Sequence, residues 1–130
     1  MKSLDKGFNP AEFLNIAKKL LLVNDLDEKG KFRTSIGRIY YSAFLLIRTS
    51  LQRKGIKFGE EKQHKEVQNY LKMIGMDHMA DQLKELFDHR VNADYILSNS
   101  INKSINRSLC DKCIIIAEDV IEGIEDIRIK

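Results

Sequence analysis

The chain has 130 residues, of which 43% are hydrophobic and 32% are charged, and Lys plus Arg exceed Asp plus Glu by 22 to 19 for a net charge of +3. This length fits one domain that buries its own core, so we expect a single domain over residues 1–130 with its core at roughly 10–127. The composition excludes a disordered chain, and no apolar run is long enough to span a membrane, so we expect a cytoplasmic protein with no membrane partner.

The first predicted helix begins at Asn9-Pro10, because asparagine caps a helix well and proline fits the first helical position. We expect this helix to run to about Asp25. Its predicted core residues recur every three or four positions along one face: Phe13, Ile16, Ala17, Leu20 and Leu21.

The second predicted helix follows a turn at 27–30 and runs from Lys31 to Lys54, with Gly55 as its C-terminal cap. Its predicted core stripe is Ile36, Tyr40, Ala43, Phe44, Ile47 and Leu51. Gly37 within it costs about 1 kcal/mol relative to alanine, which predicts that another backbone passes close by. A second face is basic and aromatic, and it is either solvated or a surface for a ligand or partner: Arg33, Arg38, Tyr41 and Arg48.

Three further helices are expected, separated by glycine and polar breaks. In order, the sequence predicts a loop at 56–61, a helix at 62–74, a helix at 76–98, a polar break at 99–103 and a last helix at 104–127. No alternating strand pattern and no internal repeat occurs. The predicted fold is therefore all-α, an up-and-down antiparallel bundle of four to five helices.

The fourth predicted helix has charged residues on a face that is otherwise apolar. Residues spaced by three and four positions share this face: Leu83, Phe87, Arg90, Asp94 and Leu97. Arg90 and Asp94 either form a local ion pair or mark a site. A charge pair in such surroundings needs further polar partners, and the candidates are Tyr40, Tyr41 and Tyr95.

Several familiar catalytic motifs do not occur in the sequence, including the glycine-rich phosphate loop, the His-Glu-x-x-His zinc motif and the Gly-x-Ser-x-Gly elbow. Cys110 and Cys113 lie within a predicted helix beside apolar residues, which favours buried structural thiols over a redox or zinc site. His64, His78 and His89 form no paired ligand motif. We therefore expect no metal and no cofactor.

Two segments of the chain form distinctive motifs. Arg38–Phe44 reads Arg-x-Tyr-Tyr-x-Ala-Phe, and Arg90–Tyr95 reads Arg-x-x-Ala-Asp-Tyr. Together with His64-Lys65 at the opening of a helix and Ala117-Glu118 in the last helix, these segments resemble the HEPN domains, and in particular their small single-domain group, over roughly 10–127. It implies a bundle of four or five helices that usually forms a symmetric dimer.

The resemblance also implies a chemistry. Many HEPN domains are metal-independent endoribonucleases, often toxins paired with a nucleotidyltransferase-type antitoxin or parts of defence systems. Their motif is an arginine that stabilises the scissile phosphate, followed within a few residues by a histidine that moves protons. Arg90 corresponds to this arginine, but Asp94 and Tyr95 stand where the histidine is expected, and His89 precedes Arg90. The resemblance therefore implies an incomplete ribonuclease motif.

Three functions remain open on this basis. The first is binding of RNA, a nucleotide or a partner protein in the cleft of a homodimer, without cleavage. The second is an endoribonuclease toxin that uses Arg90 with Asp94 and Tyr95, with protons moved by His64 or His89. The third is a scaffold for oligomerisation. The candidate binding residues are Arg33, Arg38, Tyr41, His64, His89, Arg90 and Tyr95.

Overall fold

The structure is a computed structural model that describes residues 7–128. Its helices are α1 (Ala11–Leu20), α2 (Glu28–Arg53), α3 (Gln63–Met73), α4 (Asp77–Tyr95), α5 (Asn99–Ser104) and α6 (Arg107–Gly123), followed by a 3₁₀ turn at Ile124–Asp126. No strand occurs within this part of the chain, and the all-α bundle is confirmed. The additional helix is α5, a short one where the sequence predicted a polar break. None of the helices between residues 7 and 128 is long and apolar enough to cross a membrane.

α2 is the central helix of the bundle, because it packs against α1, α4 and α6, while α3 packs mainly against α4. Every residue of its predicted core stripe is buried: Ile36, Tyr40, Ala43, Phe44, Ile47 and Leu51. Burying a large apolar side chain contributes about 1.5 to 3 kcal/mol, so this stripe is a main source of stability. α3 was predicted to within one residue at each end.

Local hydrogen bonds explain where α2 begins and ends. It begins at Glu28, three residues before the predicted start, because the Asp27 carboxylate accepts a hydrogen bond from the Gly30 amide at 2.9 Å and caps the helix. It ends at Arg53, one residue before the predicted Lys54, and Gly55 follows as predicted with a φ of 96°, the left-handed conformation that glycine adopts readily. The amide that follows Gly55 then donates to the Leu51 carbonyl at 3.1 Å, which closes the helix end.

The first helix is shorter than predicted. α1 ends at Leu20 rather than near Asp25, because the amides of Leu22 and Val23 donate to carbonyls three residues back, in the tighter 3₁₀ pattern. The predicted inward face was also partly wrong, since Ile16 is 48% exposed. The residues buried in this segment are Leu14, Ala17 and Leu21.

The polar face of α4 lies at the edge of the core and not within it. α4 ends at Tyr95, three residues before the predicted end at 98, so Leu97 lies beyond the helix, is 80% exposed and does not share the face on which its spacing placed it. Phe87 is half-buried and Asp94 is exposed. The buried face of α4 is rotated by about one position and consists of Met79, Ala80, Leu83, Leu86 and Ala93.

Two cations from α2 hold the segment between α4 and α6. Arg33 Nη1 donates to three carbonyls at the C-terminal end of α4, at 2.9 to 3.3 Å, and Nη2 donates to Asn102 Oδ1 at 3.1 Å. Lys29 Nζ donates to the carbonyls of Asn102 and Ile105 at 2.7 and 2.6 Å. We call this pair the Lys29–Arg33 clamp. It supplies additional donors to carbonyls at helix ends, where few backbone amides are available.

α6 begins at Arg107, later than the predicted 104, because Asn106 Oδ1 accepts a hydrogen bond from the Leu109 amide at 2.8 Å and caps the helix. Cys110 and Cys113 are buried free thiols in this helix, as predicted. Burial raises the pKa of the Cys110 thiol to about 11 and that of Cys113 to about 12. Over residues 7–128, no three His, Cys, Asp or Glu side chains are grouped so that they could hold a metal ion.

Candidate functional site

Arg90 is held in place by groups on two helices. Its Nε atom lies 3.0 Å from an Asp94 carboxylate oxygen, one turn further along α4. Its Nη2 donates a hydrogen bond to the Tyr41 hydroxyl on α2 at 2.7 Å. The Arg90 side chain is only 14% exposed, and a charge buried to this extent needs such partners. The ion pair predicted as one alternative is therefore present, and it belongs to a polar network with a tyrosine of α2.

Alternating aromatic rings and guanidinium groups cross the bundle surface from α1 to α4. The guanidinium carbon of Arg38 lies 5.0 Å from the ring centroid of Phe13 and 5.4 Å from that of Tyr41. The guanidinium carbon of Arg90 lies 5.0 Å from the Tyr41 centroid and 5.5 Å from the Tyr95 centroid. Each such contact contributes about 0.5 to 1 kcal/mol at an exposed site. We call these five residues the cation–aromatic stack, and Tyr95 at its end is 64% exposed.

His64, in the first turn of α3, lies beside the cation–aromatic stack. Its ring centroid is 6.3 Å from that of Tyr41, 4.5 Å from that of Phe44 and 5.1 Å from that of Phe87. Its Nδ1 atom contacts the hydroxyl of Tyr40, which is buried in the core. Aromatic rings on two helices and a buried phenol therefore fix the orientation of the imidazole.

The surroundings also fix the protonation state of His64. Burial lowers the pKa of His64, and the positive charges of Arg90 and Arg48 lower it further. Burial raises the pKa of the Tyr40 hydroxyl, so the hydroxyl stays protonated, and we assign it as the donor to Nδ1 because a buried hydroxyl hydrogen needs an acceptor. The neutral imidazole then carries its hydrogen on Nε2. Near neutral pH, His64 is an uncharged group with a defined tautomer.

Arg48 belongs to this cluster. The sequence placed it on the basic second face of α2 but did not count it among the candidate binding residues. Its Nη1 donates to Gln63 Oε1 at 2.8 Å, and its guanidinium carbon lies 5.6 Å from the Phe44 centroid. Between residues 7 and 128, no acceptor has hydrogen-bonding geometry with the buried Nε atoms of Arg48 and Arg90. The sequence signal for Arg48 was its position seven residues after Tyr41, on the same face of α2.

Two of the predicted binding residues have their polar atoms engaged elsewhere. The guanidinium group of Arg33 forms part of the Lys29–Arg33 clamp. His89 Nε2 lies 3.3 Å from a Glu85 carboxylate oxygen, which Lys112 of α6 approaches to 3.1 Å. The predicted residues that the structure brings together are Arg38, Tyr41, His64, Arg90 and Tyr95, with Asp94 beside Arg90.

Gly37 has a different neighbour from the one predicted. A Cβ atom at this position would lie 3.4 Å from Asp94 Oδ1, and within the described residues no backbone of another element lies within 4 Å of it. The prediction of a close backbone was therefore wrong. The glycine leaves room for the Asp94 carboxylate that pairs with Arg90.

The chemical character of the cluster follows from these contacts. Two guanidinium groups, from Arg48 and Arg90, act on a neutral His64, and Asp94 is the carboxylate paired with Arg90. A third guanidinium group, that of Arg38, lies over the ring of Tyr41. An excess of positive charge attracts anions, and guanidinium groups bind phosphate well. The arrangement can therefore bind a phosphate-bearing ligand that also offers a planar ring.

The fold is an all-α bundle, and an arginine, tyrosines and a histidine lie together along its α2–α4 face. The protein is therefore of the helical-bundle class and has a surface that suits anions. The HEPN domain family matches residues 11–127, nearly the whole chain. The chain belongs to the HEPN-domain family.

A second comparison concerns a shorter segment. An uncharacterized protein of Methanocaldococcus jannaschii is 51% identical to this chain over 41 residues, which are 32% of this chain and 23% of that protein. The match thus spans about a quarter of the relative's length. No solved structure matches the chain.

Proposed function

We propose that this HEPN-domain protein binds single-stranded RNA or a nucleotide on the cation–aromatic stack. The observation that carries the proposal is the alternation of guanidinium groups with aromatic rings, which ends at the exposed ring of Tyr95. Arg38 and Arg90 would contact phosphates, and Tyr95 would stack on a base. Stacking of a base on an aromatic side chain contributes about 1 to 3 kcal/mol, without requiring a particular sequence.

We further propose that the binding cleft forms in a homodimer. HEPN domains often dimerise. The end of α4 next to the stack is exposed and apolar, with Ile96 37% and Leu97 80% exposed, which supports a protein contact there. Analytical ultracentrifugation is expected to give a dimer, and a monomer at the concentrations used for binding would contradict this part of the proposal.

Fluorescence anisotropy with a single-stranded oligoribonucleotide tests the binding itself. We expect binding that weakens as salt increases, because contacts to phosphate release counterions. Arg90→Ala should weaken binding at least about tenfold, and Tyr95→Ala by a similar factor, which corresponds to about 1.4 kcal/mol.

Lys84→Ala is the matched control for loss of a cation. Lys84 pairs with Asp88 on the exposed side of α4 and touches no member of the stack, so its removal should leave binding unchanged. A protein that binds neither RNA nor nucleotides and yet forms a dimer would refute the proposal and favour the scaffold function.

A second candidate function is a metal-independent endoribonuclease, and the position of His64 favours it. The sequence has no histidine shortly after Arg90, but the fold brings His64 of α3 to the side of Tyr41, which accepts a hydrogen bond from Arg90. Arg90 would stabilise charge on the phosphate, and His64 would move protons during attack by the 2′-hydroxyl. Asp94, by neutralising part of the Arg90 charge, works against this candidate.

Cleavage of RNA in the presence of EDTA tests the second candidate. Activity should disappear in Arg90→Ala and in His64→Gln, whereas His89→Gln should retain it because His89 pairs with Glu85 instead. Intact RNA at high protein concentration would refute it.

A nucleotidyltransferase-type protein is the partner proposed for this second candidate, in the cytoplasm. Co-expression should then yield a complex in which RNA cleavage is suppressed. Failure of the two proteins to associate would remove this partner from the proposal.

A further inference from the structure

We propose that Arg48, Arg90 and His64 form a subsite for one phosphate group, and that phosphate binding brings a proton onto His64. The inference rests on the proposed function only in taking the phosphate to be that of RNA or a nucleotide. It adds Arg48 to the binding surface and couples ligand binding to proton uptake.

The two guanidinium groups approach His64 across two aromatic rings. Phe44 lies 4.5 Å from the His64 centroid and 5.6 Å from the guanidinium carbon of Arg48. Tyr41 lies 6.3 Å from the His64 centroid and 5.0 Å from the guanidinium carbon of Arg90. A half-buried imidazole therefore has a cation beyond each of two neighbouring rings.

Some hydrogen-bond donors of the two guanidinium groups have no acceptor among the described residues. Arg48 donates to the neutral amide of Gln63, and its buried Nε finds no hydrogen-bond acceptor among residues 7–128. Arg90 shares its charge with Asp94, but its Nε, although 3.0 Å away, is out of line for a hydrogen bond. The positive charge of these two guanidinium groups is therefore only partly compensated within the described residues, and a phosphate that reaches their Nη atoms is stabilised.

The proton coupling follows from the charges that face His64. These groups are Tyr40, Tyr41 and Arg48 from α2 and Arg90 from α4, the last of them paired with Asp94. The two arginines disfavour a charged imidazole in the free protein. A phosphate between them reverses the sign of the local potential and favours the charged form.

The proton has a defined place to bind. With the Tyr40 hydroxyl assigned as the donor to Nδ1, the neutral ring carries its hydrogen on Nε2. The proton taken up from solvent therefore binds Nδ1, and the Tyr40 hydroxyl turns from donor to acceptor. Nε2–H remains free to donate to the phosphate.

NMR of the histidine ring signals in the full chain tests the subsite with pyrophosphate as the probe. Pyrophosphate should raise the pKa of His64 by about one unit, while His89 serves as the internal control and should not shift. Arg48→Gln should reduce the shift to less than half. A His64 titration that pyrophosphate leaves unchanged would overturn the inference.

Calorimetry with an oligoribonucleotide separates this inference from the proposed function. Binding heats in two buffers of different ionisation enthalpy should reveal proton uptake by the wild type and by His89→Gln, but not by His64→Gln. RNA binding without proton uptake, together with an unchanged His64 titration, overturns the inference and leaves the proposed function standing. A pyrophosphate-induced rise in the pKa of His64, in a protein that does not bind RNA, refutes the proposed function and supports the phosphate subsite. If circular dichroism shows that His64→Gln is unfolded, the NMR titration of His64 in the wild type, with and without pyrophosphate, tests the inference instead.

Discussion

At the scale of single residues, Arg90 is both part of a structural polar network and a candidate phosphate-binding residue. Asp94 and Tyr41 fix its guanidinium group, and the rings of Tyr41 and Tyr95 flank it. Such a preorganised arginine loses little conformational entropy when it binds an anion. The adjacent carboxylate lowers the positive potential at the same place.

Asp94→Asn should therefore strengthen RNA binding. Two unit charges about 4 Å apart in water interact by about 1 kcal/mol, so removing the carboxylate charge is expected to tighten binding about fivefold. The measurement is fluorescence anisotropy at low salt. Asp88→Asn is the matched control, because Asp88 pairs with Lys84 on the exposed side of α4. Equal effects of the two variants would contradict a special role for the Asp94 carboxylate.

His64 makes the free energy of unfolding depend on pH. Its pKa is lowered in the folded protein from the ordinary value of 6.5, so the unfolded chain binds the proton more readily. Above this value the imidazole is neutral in both states and contributes nothing. As pH falls below 6.5 toward the lowered pKa, the free energy of unfolding should decrease.

Urea denaturation as a function of pH measures this contribution. His64→Gln should flatten the stability profile in that window. Loss of stability below about pH 4.5 has a separate source in Glu85, whose pKa is lowered by its hydrogen bond to Lys112. A wild-type profile that is flat just below pH 6.5 would contradict the neutral state assigned to His64.

At the scale of the elements, the helix ends depend on side chains that come from distant parts of the chain. Asp27 and Asn106 cap their own helices, which is local chemistry. The C-terminal end of α4, by contrast, is fixed by Arg33 from α2. This contact makes Arg33 a structural residue in the described fold.

Arg33→Ala should destabilise the protein by about 2 kcal/mol, because hydrogen bonds from a charged group to several carbonyls are lost together. Urea denaturation at neutral pH measures the change. Arg33→Lys should recover only part of the loss, since an ammonium group cannot reproduce the planar fork. Lys84→Ala, which removes a cation from an exposed ion pair, is expected to cost no more than about 0.5 kcal/mol. Equal losses in Arg33→Ala and Lys84→Ala would contradict the clamp.

At the scale of the whole molecule, α2 organises the bundle because it contacts α1, α4 and α6 along its length. Its carbonyl at Phe32 lies 3.6 Å from the Cys110 sulfur, so the thiols of α6 belong to the same core. Any reagent that reaches these thiols must first open the bundle. Their reactivity thus reports on the folded state as a whole.

Cys110 and Cys113 should be unreactive toward a disulfide reagent in the native protein. Their pKa values of about 11 and about 12, against an ordinary 9.0, reduce the thiolate fraction about 100-fold and about 1000-fold, and burial blocks access as well. Both thiols should react at once in denaturant. Rapid native-state reaction of either thiol would show that the bundle opens locally around α6.

The sequence by itself determined five of the six helices described between residues 7 and 128 and the core of α2, because apolar periodicity, caps and glycines act within a few residues of one another. It also identified Arg38, Tyr41, Arg90 and Tyr95 from the two HEPN-like segments. The fold class required nothing beyond these local signals, and the family match over 11–127 agrees with them.

Only the tertiary structure decided which polar residues meet. Arg33 and Arg38 lie on the same helix and looked equivalent in sequence, yet one bonds the end of α4 and the other stacks between Phe13 and Tyr41. His64 reaches the neighbourhood of Arg90 from α3, while His89, adjacent to Arg90 in the chain, points toward Glu85. The physical reason is that contacts between helices depend on their relative rotation and packing, and these are set by the whole core and not by any local segment.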